Sequence, residues 1–446
     1  MKSFVKKFSE NVKKNPNHSL FFDEVNTKGI SYAKIDEVSG KIYNYLTSIG
    51  VGREDFVLIN LPRGVQVVMA MVGVWKAGAA FTVVEDNYAP DRIEFIRNDC
   101  NCKAEINSDT WDSIMKLDSL DGYVESDLHD AAFAIYTSGT TGNPKGVLHE
   151  YGNILRSVES VKISESEALV KKNEHGALVA PLNFIASTIF IMYVLYYGAE
   201  IDKAKLYIVS YSTLKNPVAL KKFMLEKTIS LTFLTPSYVR MLKGTTGPFL
   251  KTLIVGSEPA NNVYLKGVKL CNTYMMSESA FIVSMFKIDK SYETCPIGTK
   301  TLPYLNIKLL DEDGNEVKNG ETGELCFDNP YFRGYINLEE ETKKALKDGY
   351  YHSGDLAKLD TNGKLVLLGR NNDMIKINGN RIEPAEIEAA VKQVLNVSFV
   401  AVRGFNESNQ SYICAYYKDD VEFNLDEVRS ELLKRLPYYM LPAYFM

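Results

Sequence analysis

One stretch of the chain, AAFAIYTSGTTGNPKGVLHEY at Ala131–Tyr151, constrains its fold and chemistry more than any other. Its apolar start, Ala131–Tyr136, predicts a buried strand that runs into a loop of small polar residues. Three loop glycines would allow positive φ and close approach to an anion: Gly139, Gly142 and Gly146. The other expected donors are Thr137, Ser138, Thr140, Thr141 and Lys145. Backbone N–H groups in such a loop form a concave nest for oxyanions, so the stretch predicts a phosphate site.

A Walker A loop is a rival interpretation, and it requires the pattern G-x-x-x-x-G-K-[ST]. Pro144 precedes Lys145 here and Gly146 follows it, so the required Gly and the Mg²⁺-binding hydroxyl are both missing. The stretch is therefore not a P-loop. A surface loop rich in small residues is the remaining alternative on composition alone.

The composition of the chain excludes several classes of protein. Its 446 residues, 46% hydrophobic and 24% charged, are enough for more than one globular domain. A net charge of −5 gives no basic stripe, so nucleic acid is not expected as a partner. The six cysteines are scattered, and the only close pair is the C-x-C of Cys100 and Cys102. This is no zinc pattern, and reduced thiols in the cytosol are the expectation.

Neither apolar segment of note predicts insertion into a membrane. The N-terminus carries lysines but no apolar core of a signal peptide, and Phe4, Phe8 and Val12 fall on one face of a helix. The apolar run Phe184–Tyr197 is shorter than the roughly 20 residues that span a bilayer. It predicts a buried helix.

Apolar segments alternate in a way that predicts doubly wound parallel sheets. A helix over Ile30–Ile49 is followed by a strand at Phe56–Leu61, a helix at Gly64–Ala77 and a strand at Ala79–Val84, and Pro90 opens another helix. Ligand sites in such sheets lie at the carboxyl ends of the strands. The pattern resumes with strands at Gly176–Ala180, Leu206–Val209, Leu231–Leu234 and Thr252–Val255.

The rest of the chain predicts two further units. From Cys295 the short strands and Gly turns predict a small antiparallel unit. From Asn372 the chain predicts a small, mobile α+β domain with a hairpin at Ile375–Ile382 and helices begun by Pro384 and Asn424. The predicted fold is thus α/β, with a large domain at 1–371 and a small C-terminal domain at 372–446.

YTSGTTGNPKG closely resembles the phosphate loop of the adenylate-forming enzymes. This superfamily includes acyl-CoA synthetases, luciferases, D-alanine–carrier protein ligases and the adenylation domains of nonribosomal peptide synthetases. ISYAKID and GVWKAGAAFTVVEDNYAPDRI resemble two packing motifs that precede the loop in the peptide synthetases. Five further stretches match in the family's order, and together they cover nearly the whole chain. The resemblance implies that the large domain binds ATP and that the small domain rotates between two half-reactions.

The resemblance also assigns the nucleotide site. NTYMMSES at Asn272–Ser279 resembles the motif N-x-Y-G-x-T-E, which implies adenine stacking by Tyr274, a phosphate contact by Ser277 and Mg²⁺ binding by Glu278. Met275 stands where the motif has Gly. Asn272, Thr273 and the turn Gly256–Ser257–Glu258, similar to the family's G-G-E, are placed beside the nucleotide. Lys145 and Glu278 are the implied catalytic residues, and Lys145 and Asp355 are expected to bond to the ligand rather than to protein.

Two motifs join the ribose site to the small domain. YYHSGDL at Tyr350–Leu356 resembles Y-x-T-G-D-L, in which the Asp, here Asp355, accepts from both ribose hydroxyls. LLGRNNDMIKINGNRIEPAEIE at Leu367–Glu388 resembles the hinge motif. It implies that Arg370 contacts ribose or phosphates, that Asn372 with Asp373 forms the hinge, and that Gly379 lies on the thiolation loop.

The expected acyl pocket differs at one position from the pocket of enzymes that activate amino acids. PLNFIASTIF at Pro181–Phe190 resembles the F-D-x-S segment, and Ile185 replaces the Asp that would hold an α-ammonium. The pocket positions carried over are uncharged: Phe184, Ile185, Ala186, Ile189, Phe233, Ile254, Gly256, Thr273, Phe281 and Ile282. Burying an unpaired ammonium there costs several kcal/mol, which disfavours an α-amino acid. Plain core packing is the alternative for any one of these residues.

Together these motifs imply an enzyme that joins a carboxylic acid to AMP, using ATP and Mg²⁺, and then transfers it to a phosphopantetheine thiol. The acceptor is a carrier protein or coenzyme A, and the carrier is favoured. Activation of D-alanine or another amino acid, and a catalytically silent nucleotide-binding protein, remain alternatives. The family's C-terminal motif runs on to a catalytic lysine, whereas LPYYMLPAYFM closes this sequence before one. A truncation or a lost adenylation cation is the corresponding expectation.

Overall fold

The computed structural model describes residues 3–85, 88–139, 143–163, 174–200, 205–241, 248–370, 375–377, 380–407, 410–418 and 423–446. The helices are α1 Phe4–Lys14, α2 Tyr32–Ser48, α3 Val65–Lys76, α4 Pro90–Asp99, α5 Ser108–Ile114, α6 Tyr151–Ile163, α7 Ile185–Tyr197, α8 Tyr211–Leu214, α9 Pro217–Glu226, α10 Pro236–Met241, α11 Glu339–Ala345, α12 Pro384–Leu395 and α13 Leu425–Leu433. None of the helices within these ranges combines the length and the apolarity that a membrane span requires.

The strands, in chain order, are β1 Ser19–Phe22, β2 Ile30–Ser31, β3 Phe56–Ile59, β4 Ala80–Val83, β5 Cys102–Ile106, β6 Ala131–Thr137, β7 Lys145–Glu150, β8 His175–Leu178, β9 Lys205–Ile208, β10 Leu231–Leu234, β11 Thr252–Gly256, β12 Lys269–Tyr274, β13 Ser284–Ile288, β14 Thr301–Leu302, β15 Leu305–Leu310, β16 Gly323–Asp328, β17 Phe332–Tyr335, β18 Leu346–Lys347, β19 Tyr350–Leu359, β20 Leu365–Arg370, β21 Ile375–Ile377, β22 Asn380–Ile382, β23 Phe399–Glu407, β24 Gln410–Lys418 and β25 Tyr444–Phe445.

The first large sheet has the order β17-β7-β6-β4-β3-β5. Strands β5, β3, β4 and β6 pair in parallel, and the sequence predicts this for β3, β4 and β6. Strand β7 then pairs antiparallel with β6, with Lys145 opposite Thr137. The sheet is therefore mixed, and the expected wholly parallel arrangement is wrong at this point. The link between β6 and β7 is shorter than the dozen or so residues that a parallel crossover needs, so it closes a hairpin.

The second large sheet has eight strands in the order β13-β12-β11-β10-β8-β9-β1-β2. It is parallel from β12 to β1 and has an antiparallel strand at each edge. Helix α7 packs against α1 and α6, and every one of its residues is buried. The prediction of a buried helix at Phe184–Tyr197 is confirmed.

The third sheet is antiparallel, with the order β14-β15-β16-β19-β18 and β20 paired to β19. It forms the small unit predicted from Cys295 onwards. Its inner face contributes Leu325, Phe327 and Tyr351 to a separate hydrophobic cluster. Strand β19 carries Asp355 opposite Arg370 on β20, which fixes the distance between these two charged residues.

The C-terminal segment has its own hydrophobic cluster, which runs from Ile382 to Met440. Pro384 occupies the first turn of α12, and the Asn424 side chain caps α13, as predicted. Two buried side chains join this segment to the large domain, since Arg92 Nη1 lies 2.6 Å from Glu386 Oε1. The Gly139 N–H also donates to Glu386 Oε2 at 3.3 Å. The predicted boundary at 371/372 falls outside the described residues and stays a prediction.

Candidate active site

A cleft with a cavity volume of about 500 Å³ opens where the two large sheets meet the third sheet and the C-terminal segment. Strands β6, β10 and β12 deliver Thr137, Leu234 and Tyr274 to it from their carboxyl ends. This is where parallel α/β sheets bind ligands. The C-terminal segment contributes Asn380 and Tyr439 to the opposite wall.

The predicted site residues divide into three groups. Those that line the cleft are Thr137, Ser138, Phe184, Ile185, Ala186, Phe233, Ser257, Tyr274, Ser277, Asp355 and Arg370. Those that are described but are not among its lining residues are Gly139, Lys145, Ile189, Ile254, Gly256, Glu258, Asn272, Thr273, Glu278, Phe281 and Ile282. Thr140, Thr141, Gly142, Asn372, Asp373 and Gly379 lie outside the described residues.

The phosphate loop enters the cleft at the end of β6. Thr137 Oγ1 is buried there without a hydrogen-bond partner within the described ranges, so a ligand oxygen would satisfy it. Gly139 and Gly146 do not adopt the left-handed φ that the sequence suggested. They are required for close approach instead, because a Cβ at Gly139 would overlap the Asn143 carbonyl and one at Gly146 would meet the Tyr136 ring.

Lys145 and Glu278 form a buried pair beside the loop. Lys145 Nζ lies 3.7 Å from Glu278 Oε1 and 4.2 Å from the centre of the Tyr335 ring. The Tyr335 hydroxyl donates to the same Glu278 oxygen at 3.0 Å. In this arrangement a buried carboxylate compensates the charge of Lys145, and its expected contact with a ligand stays a prediction.

Asp355 is fixed by three neighbours. The Tyr274 hydroxyl donates to Asp355 Oδ2 at 2.5 Å, and Arg370 Nη1 lies 3.3 Å from Oδ1. The Asp355 N–H donates to Ser353 Oγ at 3.1 Å, which sets the strand around it. Burial and the Asp355 charge hold the pKa of Tyr274 well above its usual value, so the phenol stays a donor. The carboxylate keeps acceptor capacity for a ligand hydroxyl.

Three residues that the resemblance assigns to the nucleotide make contacts within the protein, and their role at the nucleotide stays a prediction. The Glu258 carboxylate accepts from the Ser237 N–H at 3.1 Å and from the Ser237 hydroxyl at 2.5 Å, which caps α10. The Asn272 amide donates to the Pro296 carbonyl at 2.8 Å. The Thr273 hydroxyl donates to the Val255 carbonyl at 3.1 Å. All three hold strand ends in place around the cleft.

The acyl wall of the cleft is apolar at the positions the resemblance assigns to it. Ile185 and Ala186 begin α7 and face Phe233 from β10 across the same cavity. Ile189, Ile254 and Ile282 belong to the hydrophobic core that contains these three, but they are not among the lining residues. Phe281 packs instead in the core of the third sheet, where Arg156 lies 4.4 Å from its ring centre.

The family profile described as AMP-binding enzyme matches residues 8–336. The chain belongs to the AMP-binding enzyme family. Gramicidin S synthase 2 of Aneurinibacillus migulanus is 29% identical over 98% of this chain. Surfactin synthase subunit 1 of Bacillus subtilis is 30% identical over 93% of it. The chain covers only 10% and 13% of these relatives, respectively. The predicted membership of the adenylate-forming superfamily is confirmed.

Two solved structures share the fold of this AMP-binding family member. An artificially fused adenylation–PCP di-domain, NpsA-ThdA from Klebsiella oxytoca, has a TM-score of 0.86 at 21% identity, covering 100% of this chain and 94% of that one. A double mutant of o-succinylbenzoate CoA synthetase (MenE) from Bacillus subtilis has a TM-score of 0.84 at 20% identity, covering 98% and 93%. These similarities confirm the predicted fold class.

His149 is a site residue of the AMP-binding enzyme that the sequence did not reveal. It is fully buried, and its Nε2–H donates to the Ser277 carbonyl at 2.7 Å while Nδ1 accepts from the Asn153 amide at 2.7 Å. Burial lowers the pKa of His149 to about 4, so the ring is neutral. It therefore holds the turn that carries Ser277 and Glu278. No motif marks it, because its role depends on strand register.

Other lining residues also escaped prediction. Tyr88 precedes helix α4, Arg92 lies on α4 and Asn183 precedes α7. The Asn183 amide donates to the Tyr88 hydroxyl at 2.7 Å. Tyr438 and Tyr439 come from the C-terminal segment. The spacing L-P-Y-Y is the one signal that could have pointed to these two tyrosines.

Glu278 is the residue that would hold Mg²⁺. One carboxylate beside substrate phosphates is a donor set that suits this ion, so the chemistry fits. In this arrangement the carboxylate is buried and shared by Lys145 and Tyr335. Bound Mg²⁺ would supply charge neutralisation for a triphosphate.

Proposed function

We propose that this chain activates a carboxylic acid as its acyl-adenylate, with ATP as the second substrate and pyrophosphate as the leaving group. One observation carries the proposal. A single cleft holds the end of the phosphate loop at Ser138, the charged pair Asp355–Arg370 and the apolar wall at Ile185. The loop suits a phosphate group, the charged pair suits the ribose, and the apolar wall suits the acyl group.

The chemistry requires positioning rather than a side-chain nucleophile. A carboxylate oxygen of the substrate attacks the α-phosphorus of ATP, the bond to the β-phosphate oxygen breaks, and pyrophosphate leaves. Arg370 would bind phosphate or ribose oxygens, and backbone N–H groups of the loop would add donors. Tyr274 presents its ring to the cleft while its hydroxyl stays on Asp355. Holding both reactants in one cleft accounts for the acceleration.

The substrate class that we propose is an apolar or aromatic acid without an α-amino group. Ile185 stands where a carboxylate would be needed, and it is buried beside Ala186 and Phe233. An ammonium at this wall would lose its hydration without gaining a partner. Activation of D-alanine or another amino acid is the alternative, and it requires an anionic partner elsewhere in the cleft.

The acceptor that we propose for the second step is the pantetheine thiol of a carrier protein in the cytosol. The peptide synthetases among the relatives and the adenylation–PCP fusion support a carrier, whereas the CoA synthetase supports coenzyme A. A catalytically silent nucleotide-binding protein is a second candidate. It is favoured by one observation, the burial of Glu278 with Lys145.

Paired acyl-adenylate analogues provide a test of the substrate class. We expect 3-phenylpropanoyl-sulfamoyladenosine to bind at least tenfold more tightly than the phenylalanyl compound, which differs only by its ammonium, if the missing partner is worth about 1.4 kcal/mol. Ile185→Asp should narrow or reverse the preference in calorimetric titrations. Ile185→Asn, which adds polarity without charge, should not reverse it.

Two outcomes would decide against parts of this proposal. A preference of the unmodified protein for the aminoacyl analogue would mean that the pocket assignment is wrong. Binding of ATP without any exchange of labelled pyrophosphate across a panel of acids would favour the silent protein. Comparing a carrier protein with coenzyme A as acceptor would then settle the second step.

A further inference from the structure

A second group of chemically reactive side chains lies outside the cleft, on the third sheet. Glu324 and Cys326 are two residues apart on β16 and so lie on the same face of the strand. His352 lies directly opposite Cys326 on β19. Their face is opposite to that of Leu325 and Phe327, which belong to the hydrophobic core of this sheet. Cys326 is fully buried and yet belongs to none of the hydrophobic clusters of the described residues.

The donor atoms of these three residues converge. His352 Nδ1 lies 2.8 Å from Glu324 Oε2 and 3.4 Å from Cys326 Sγ. All three ligand atoms lie within 4.8 Å of one another. Ligands of a tetrahedral zinc ion are separated by roughly 3.3–3.8 Å, because the Zn–N, Zn–O and Zn–S bonds are about 2.0–2.3 Å long. The Glu324 Oε2–His352 Nδ1 distance would have to lengthen by about 0.5 Å, and rotamer changes of the three side chains would admit the ion.

We propose that Glu324, Cys326 and His352 form a binding site for a divalent cation of the zinc type. One sulfur, one nitrogen and one oxygen make a set of intermediate softness that suits Zn²⁺ better than Mg²⁺ or Ca²⁺. The side chains of His352 and Glu324 are 16% and 21% exposed, so a fourth ligand can be water. The site is independent of the proposed adenylation.

The charge balance at the site is favourable. On binding, the cation would displace the proton of the Cys326 thiol. A thiolate and the Glu324 carboxylate then neutralise a divalent ion. Lys308 faces Cys326 from β15, and its ammonium lies 4.1 Å from the centre of the Tyr350 ring.

The site lies next to the strand segment that carries Asp355. Glu324 Oε1 accepts from the Gly354 N–H at 2.8 Å, while its other oxygen faces His352. A cation bound through Oε2 leaves that backbone contact in place. It would tie β16 to β19 through His352, three residues before Asp355, so we expect it to stabilise the folded chain.

Cobalt and zinc binding to the metal-free full chain tests the site. With CoCl₂ we expect a near-ultraviolet thiolate-to-cobalt absorption band that ZnCl₂ abolishes by competition. Cys326→Ser should remove the band, and His352→Gln should weaken zinc affinity at least tenfold and abolish the rise in melting temperature that zinc produces. His352→Gln is the variant to rely on if Cys326→Ser does not fold, because His352 is at the rim.

Two matched controls separate this site from other ligands on the chain. His129→Gln removes an exposed histidine that also pairs with a carboxylate, Glu150, but has no cysteine beside it. Cys102→Ser removes one thiol of the C-x-C pair. Both should bind cobalt as the unmodified protein does. The proposal is overturned if no thiolate band forms, or if the band survives in Cys326→Ser and disappears in Cys102→Ser.

Discussion

Asp355 illustrates how one carboxylate is prepared for a ligand by its neighbours. A phenol, a guanidinium and the backbone around Ser353 fix its position, and only 3% of its surface is exposed. Such an arrangement avoids the entropy cost of ordering the side chain when a ligand binds. The sequence motif identified the residue, but it did not reveal that protein groups share the carboxylate.

The first residue-scale prediction is that Asp355→Asn weakens AMP binding by about 1.5–3 kcal/mol, because a charge-assisted hydrogen bond to ribose is lost. Calorimetry with AMP measures the difference. Asp360→Asn is the control, since Asp360 caps an exposed turn at the end of the same strand. Equal losses in the two variants would indicate a general effect on the sheet.

The second residue-scale prediction concerns pH and His149. Its pKa falls from 6.5 to about 4 on folding, because the buried ring resists protonation. Between these two pH values the unfolded chain binds a proton that the folded chain does not. The free energy of unfolding should therefore decrease as pH falls from 6.5 to 4, by an amount on the order of 3 kcal/mol.

Urea unfolding at several pH values measures this dependence. His149→Gln should lose the part of the pH dependence that the histidine supplies. His129→Gln should keep it, because that ring is 71% exposed. A pH profile identical in the unmodified protein and His149→Gln would contradict the assignment.

At the scale of elements, the phosphate loop differs from P-loops in the element that comes after it. A P-loop leads into a helix whose N-terminus attracts anions, whereas this loop leads into strand β7. Charge stabilisation must therefore come from backbone N–H groups, hydroxyls and cations rather than from a helix dipole. The geometry of the β6–β7 hairpin should therefore determine how well an anion binds.

Gly139→Ala should consequently impair nucleotide binding while the protein stays folded. A methyl group at this position would overlap the Asn143 carbonyl, so the loop must rearrange. We expect AMP affinity to fall at least tenfold, with little change in melting temperature. Gly52→Ala is a matched control, because the space around that glycine is open. A binding loss shared by both variants would point away from the loop.

Periodic elements were predictable from sequence, and elements defined by pairing were not. Asn216 and Pro217 marked the start of α9 correctly, since a cap is a local signal. Strand β5 and helix α5 were missed because their apolar residues are few. The antiparallel partner of β6 was also missed, since register depends on contacts distant in sequence. The same reason explains why motifs located Asp355 but not His149.

At the scale of the whole molecule, a buried ion pair joins the two parts of the chain. Arg92 and Glu386 are almost completely buried, and Tyr88 and Tyr439 lie close to them in the cleft. Burial tends to lower the pKa of Arg92, but the Glu386 carboxylate and the two tyrosines raise it overall, so the guanidinium remains charged. The contact depends on both partners.

Glu386→Ala should therefore loosen the C-terminal segment. Arg92 would be left buried without its counter-charge, at a cost of about 3–5 kcal/mol as long as the contact stays closed. We expect faster limited proteolysis between the two parts. Glu388→Ala is the control on the same helix, because Glu388 bonds within the segment to the Val402 N–H. Equal proteolysis of both variants would show that the ion pair does not hold the interface.

The polar character of this junction has a consequence for the behaviour of the protein in concentrated solution. If the segments parted, the contacts of Glu386 with Arg92 and Gly139 would become hydrated charges and a hydrated backbone amide. Apolar patches promote self-association, whereas such polar surfaces remain well solvated. Such an opening would therefore expose charges at this contact that water can solvate, which disfavours self-association there.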